Sequence, residues 1–112
     1  MTLTSYLTLN GNAYNGKKLT QPQLNLVAKI DSMGVEMNWG MPVVVKNPIT
    51  GFSATLDPFI AILVRLTQYL SYNYSGMGPM NYEGHKVPIQ TYDRIKYLVL
   101  ALDNEAFSNF ID

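Results

Sequence analysis

Polar and apolar residues alternate loosely at the start of the chain. The segment Leu3–Leu9 mixes leucines with threonine and tyrosine, which favour extended backbone, so the pattern predicts a short β-strand. Asn10, Gly11 and Asn12 follow as a turn signal, and a second Asn-Gly pair stands at residues 15–16. Two such pairs so close together predict a hairpin or a tightly looped segment before the first helix.

Two capping residues mark helix starts in the first half of the chain. Thr20 can cap a helix that has Pro22 in its first turn and Gly34 just beyond its end. Asp57 followed by Pro58 is the clearest helix start in the sequence. The residues after it are apolar on nearly every face, which predicts a central helix over residues 58–72.

The other segments predict hairpins and one more helix. Apolar and β-prone runs at residues 41–46 and 52–56 flank a turn signal at 47–51, which predicts a β-hairpin. Residues 75–90 are rich in glycine, proline and methionine, which predicts a long loop or a second small hairpin. Thr91 is predicted to cap the last helix, with Asp93 in its first turn and a possible break at Asp103-Asn104.

Together these elements predict an α+β fold in a single domain that covers residues 1–112. We expect two short β-hairpins and about three helices, with the apolar helix at 58–72 in the centre. A chain of 112 residues is typical of one domain, and 47% hydrophobic residues suffice for one core. Cysteine is absent, which excludes disulfides, thiolate zinc sites and cysteine catalysis.

The charge balance limits the classes of partner. Lysine plus arginine equals aspartate plus glutamate, and only 14% of residues are charged. A nucleic-acid-binding protein needs a basic face, so we expect no nucleic-acid partner. The longest apolar run, residues 59–64, is far shorter than a membrane span. The first residues lack the basic start and the following apolar run that are typical of a signal peptide. We therefore expect a cytoplasmic or virion protein without membrane contact.

No residues form a recognisable catalytic or metal-binding motif. His85 is the single histidine, and the sequence predicts that it is a solvated loop residue rather than a ligand. The carboxylates show no close pair at helical spacing in a predicted cleft, and Asp57 is already assigned as a helix cap. We expect no catalytic residues, no metal and no cofactor.

A cluster of aromatic and methionine residues is the most unusual feature of the sequence. Tyrosine and methionine are common at protein interfaces, where they offer a large and adaptable contact area. Trp39, in a predicted turn, is a weaker anchor of the same kind. Either these side chains form a partner-binding surface or they cover the core. The predicted partner-binding residues are Tyr69, Tyr72, Tyr74, Met77, Met80, Tyr82 and Trp39.

Composition suggests two functions that involve binding and no catalysis. Near-zero charge with abundant Asn, Tyr and Thr resembles the composition of minor virion proteins of tailed bacteriophages. That resemblance implies a small structural or assembly protein whose partners are proteins, in a homo-oligomer or a larger assembly. The alternative is a phage- or bacterium-encoded binding module that inhibits or modulates a host protein.

Overall fold

The computed structural model describes residues 2–32, 43–73, 80–82, 85–87 and 89–111. These residues contain five helices: α1 (Leu3–Leu9), α2 (Gln21–Ser32), α3 (Pro58–Asn73), α4 (Ile89–Leu102) and α5 (Asn104–Phe110). They also contain three antiparallel hairpins, which pair β1 (Ala13–Tyr14) with β2 (Lys17–Lys18), β3 (Val43–Lys46) with β4 (Ser53–Leu56), and β5 (Met80–Tyr82) with β6 (His85–Val87). Helices dominate the molecule and the hairpins connect them.

The predicted fold class was wrong, because the chain has more helices than an α+β domain with about three. The segment predicted as the first strand is α1, and the residues after the break form a separate helix, α5. Leu3 and Leu7 stand one helical turn apart and are both buried, while the Thr2 hydroxyl accepts the Ser5 N–H at 3.0 Å. A short apolar run fits a strand and a helix equally well, so packing and capping decide.

A side chain from α2 completes the start of α1. The two carboxylate oxygens of Asp31 accept the N–H groups of Leu3 and Thr4, each at 2.9 Å, and the Thr4 hydroxyl at 2.7 Å. The first N–H groups of a helix have no partner within it, and a negative charge there also complements the helix dipole. Asp31 therefore stabilises α1 and ties it to α2.

Two predicted helix starts are confirmed. The Thr20 hydroxyl accepts the Gln23 N–H at 3.4 Å, and the Gln23 side chain accepts the Thr20 N–H at 2.9 Å, which is a reciprocal capping box for α2. The Asp57 carboxylate accepts the N–H groups of Phe59 and Ile60 at 3.0 and 3.2 Å at the start of α3. The predicted end of α2 at Gly34 lies outside the described residues.

The predicted start of the last long helix was wrong. Helix α4 already includes Ile89, so Thr91 and Asp93 lie inside it. Thr91 is buried within the helix, and it does not stand at the position of the N-terminal cap. The break at Asp103-Asn104 is confirmed, because Asp103 caps α5 and accepts the Ala106 N–H at 3.0 Å.

Helix α3 lies at the centre of the core, as its apolar sequence predicted. Helices α4 and α5 and the β3–β4 hairpin pack directly against it, and α1 pairs with α2. The buried apolar side chains of α3 are Phe59, Ile60, Ala61, Leu63, Val64, Leu66 and Leu70. Because they point in several directions, the other elements surround α3 and leave their own polar faces outside.

Two turns follow the predicted chemistry. Asn15 and Gly16 have φ angles of 54° and 76°, which is the backbone of the tight turn that an Asn-Gly pair favours between β1 and β2. In the β3–β4 turn, the buried Asn47 accepts the Ile49 N–H at 2.9 Å and donates to the Asn109 carbonyl at 3.1 Å. Asn47 therefore shapes the turn and holds it against α5.

Candidate functional site

An open groove of about 560 Å³ lies between α2 and α4. Each helix presents one face to it, because residues three or four positions apart share a face of a helix. The groove residues are Pro22, Gln23, Asn25, Leu26 and Lys29 from α2, and Arg94, Tyr97 and Leu98 from α4. The groove is thus built on two rigid elements.

The groove has an apolar floor and an aromatic rim. Leu26 and Leu98 are 9% and 2% exposed, so they form the floor where the two helices meet the core. Tyr97 is 69% exposed and stands at the edge. A large exposed aromatic ring beside buried leucines resembles the anchors of protein interfaces, since tyrosine offers apolar area with a polar tip.

Two cations supply the charge of the groove. The amide groups on the α2 side are engaged within the helix: Asn25 accepts from Gln21 at 2.9 Å, and Gln23 belongs to the capping box. Within the described part of the chain, the ammonium of Lys29 and the guanidinium of Arg94 make no hydrogen bond or ion pair, and no acidic residue lines the groove. Cations in such a position can bind a carboxylate through charge-assisted hydrogen bonds.

This arrangement offers groups that can bind a partner. The lining residues that the structure describes include no histidine, serine or carboxylate. Apolar floor, aromatic rim and two cations fit a polypeptide segment that carries an apolar side chain and acidic groups.

A second cluster of titratable groups is structural. The Tyr14 hydroxyl donates a hydrogen bond to Asp57, the residue that also caps α3. Burial, and then this bond, raise the pKa of Tyr14, and burial together with the charge of Asp57 raises the pKa of Tyr6. Both phenols therefore stay protonated at neutral pH. Phe59 packs between the two rings, with centroid distances of 5.2 Å to Tyr6 and 5.1 Å to Tyr14.

Neither a metal site nor a membrane span is found in the described ranges. No three or more histidine, aspartate or glutamate side chains there are placed to hold a metal ion. No helix in those ranges is both long enough and apolar enough to cross a membrane.

The structure places only some of the partner-binding residues predicted from the sequence. Tyr69 lies on α3 and is 38% exposed, and Tyr72 belongs to the last turns of that helix. Met80 and Tyr82 belong to β5, which lies beside α3. The three others, Trp39, Tyr74 and Met77, lie outside the described residues. A contact surface formed by this cluster stays a prediction.

His85 lies in a strand and not in a loop. It belongs to β6 and stands opposite Tyr82 in the β5–β6 hairpin. Of the two alternatives for this region, a long loop or a second small hairpin, the hairpin is confirmed for the two strands that the structure describes.

The groove residues were not predicted from the sequence. Lys29, Arg94 and Tyr97 occupy the polar faces of their helices, where single cations and aromatics are common. One signal was present: Tyr97 stands between the apolar core positions Ile95 and Leu98, on the face that helical spacing assigns to solvent. That two such faces form one groove depends on the packing of α2 against α4.

The comparisons with known proteins add no family. No protein-family model matches the chain, and no curated protein and no solved structure shows a significant match. Any function must therefore be inferred from the chemistry of the described residues.

Proposed function

We propose that this protein is a small structural component of a protein assembly, of the kind found among the minor virion proteins of tailed bacteriophages. The observation that supports this best is the groove between α2 and α4, which combines an apolar floor, the exposed ring of Tyr97 and two available cations. Such a surface suits a protein segment, because burial of apolar area provides affinity and charge provides orientation.

The charges of the groove support one chemical class of partner. Lys29 and Arg94 favour a segment with acidic side chains, and Tyr97 with the leucine floor favours an apolar residue next to them. A host-directed binding module would use the same groove for one host protein. The two functions differ in what occupies the groove in the cell: another component of the particle, or a single host protein.

Photo-crosslinking tests this proposal. We would replace Tyr97 with p-benzoylphenylalanine in cells that make the protein, and use the same replacement at Leu9 as the control. Leu9 is 73% exposed, close to the exposure of Tyr97, and does not line the groove. We expect one discrete protein adduct from position 97 and none from position 9. If both positions give the same adducts, or neither gives any, the groove is not the contact site.

A charge reversal gives a second prediction. Arg94→Glu places a carboxylate where an acidic partner binds, so we expect at least about tenfold weaker binding of the crosslinked partner. Lys18→Glu makes the same change of charge on β2, outside the groove, and should leave the affinity unchanged. Titration of the purified partner by calorimetry measures both. Equal losses for the two variants would indicate a nonspecific charge effect and contradict the assignment.

A further inference from the structure

The hydrogen bonds of the β3–β4 hairpin show which backbone groups point outward. The Asn47 N–H donates to the Phe52 carbonyl at 2.7 Å, so these opposite residues form a hydrogen-bonded pair. Bonded and non-bonded pairs alternate along an antiparallel ladder. With the observed register, Val45 and Ala54 are the next hydrogen-bonded pair. Val44 opposite Thr55, and Lys46 opposite Ser53, are non-hydrogen-bonded pairs. The N–H and C=O groups of these last pairs point away from the hairpin.

The two outer edges of the hairpin differ. On β3, α3 covers the edge, because Arg65 donates to the Val44 carbonyl and Gln68 donates to the Lys46 carbonyl, each at 3.0 Å. On β4, the outward groups of Ser53 and Thr55 have no hydrogen-bond partner among the described residues. An open strand edge is a template for another extended chain.

The sequence of the open edge is chemically symmetric about Ala54. Ser53 and Thr55 stand on either side of Ala54 in the sequence, and their side chains share one face of the strand. Phe52 and Leu56 are the next residues outward, and their side chains lie on the opposite face. We infer that β4 pairs with β4 of a second copy, antiparallel, with a two-fold axis at Ala54. This inference goes beyond the proposed function, because it concerns a surface other than the groove.

The two-fold register satisfies both backbone and side chains. Ser53 of one copy stands opposite Thr55 of the other, so the outward N–H and C=O groups of both residues bond across the axis. The hydroxyl side chains form a Ser–Thr pair, and Phe52, which is 45% exposed, lies opposite Leu56 of the second copy. No charged residue opposes another within this segment, and a chain with zero net charge has little long-range repulsion between copies.

The sequence of β4 also lacks the charged and proline residues that protect many strand edges. Lysine, proline and inward charges blunt exposed edges in many proteins. Residues 52–56 contain none of them, whereas β3 carries Lys46 in addition to the cover from α3. A second copy is therefore the occupant that fits both the backbone and the composition of the edge.

Light scattering on the purified protein across a concentration series tests the inference. We expect the mass to approach twice the 12.6 kDa of one chain as concentration rises. Thr55→Pro removes an outward N–H without removing a bond to β3, so the hairpin should persist while dimerisation weakens at least about tenfold. Thr55→Val keeps the N–H and loses only the hydroxyl, so it should dimerise more strongly than the proline variant.

A charge-pair experiment decides the register even if the proline variant does not fold. Ser53→Glu with Thr55→Lys places opposite charges across the axis and should keep the dimer, whereas Ser53→Glu with Thr55→Glu places like charges there and should give a monomer. A wild-type protein that is monomeric at every concentration, or a dimer equally stable in both double variants, would overturn the inference. Either result leaves the groove proposal standing, since that depends on crosslinks from Tyr97.

Discussion

Phe59→Ala should lower the free energy of unfolding by about 3–5 kcal/mol. Phe59 is fully buried at the start of α3, and its ring stacks on Tyr6 and packs against Tyr14. Truncation removes buried apolar area and leaves a cavity between three elements: α1, the β1–β2 hairpin and α3. Urea unfolding followed by circular dichroism measures the loss.

The matched control is Phe59→Leu, which keeps most of the apolar volume and should lose about 1–2 kcal/mol. If the alanine variant were destabilised by less than about 1 kcal/mol, the ring would not lie in a packed core. That result would contradict the placement of Tyr6 and therefore the helical form of α1, the largest difference between the sequence prediction and the structure.

Asp57→Ala should destabilise the protein by about 2–3 kcal/mol, more than a simple cap would. Its carboxylate accepts two N–H groups of α3 and also the Tyr14 hydroxyl. Alanine removes the cap and leaves a partly buried phenol without its partner. Denaturant unfolding of Asp57→Ala and Tyr14→Phe, alone and combined, separates the two contributions.

Asp57→Asn is the control, because an amide oxygen can still cap the helix. We expect it to retain more than half of the stability that alanine loses. Losses for Asp57→Ala and Tyr14→Phe that simply add would show that the two side chains do not interact.

The raised pKa of Tyr14 also has a consequence for the pH dependence of stability. The contribution of Tyr14 to the free energy of unfolding is complete below pH about 10, where the unfolded phenol titrates, and is lost as pH rises further.

Local capping and turn chemistry could be predicted from the sequence. The starts of α2 and α3, the Asn-Gly turn at residues 15–16 and the β3–β4 hairpin are all specified by neighbouring residues. Helix α1 could not be predicted, because its start is completed by Asp31, a carboxylate from another helix. Thr91 was misassigned because a threonine that caps a helix and one buried inside it look alike in sequence.

The candidate binding surfaces also differ in whether neighbouring residues or distant ones specify them. A Tyr/Met-rich segment stands out in composition, so it was predicted as a contact site. Lys29 and Arg94 stand far apart in the chain and become neighbours of one groove only when α2 packs near α4. The open edge of β4 likewise depends on Arg65 and Gln68, which cover the other edge from α3. Tertiary contacts, not local patterns, define both surfaces.

The state of the protein in a cell that makes it tests the central claim most directly. A gently prepared extract, fractionated by size and probed for this chain, gives the mass of the complex in which it resides. We expect the wild-type protein in fractions far larger than a dimer, and Arg94→Glu in fractions of the free protein. If the wild type elutes entirely as free monomer or dimer, it is not a component of an assembly, and the structural role is wrong.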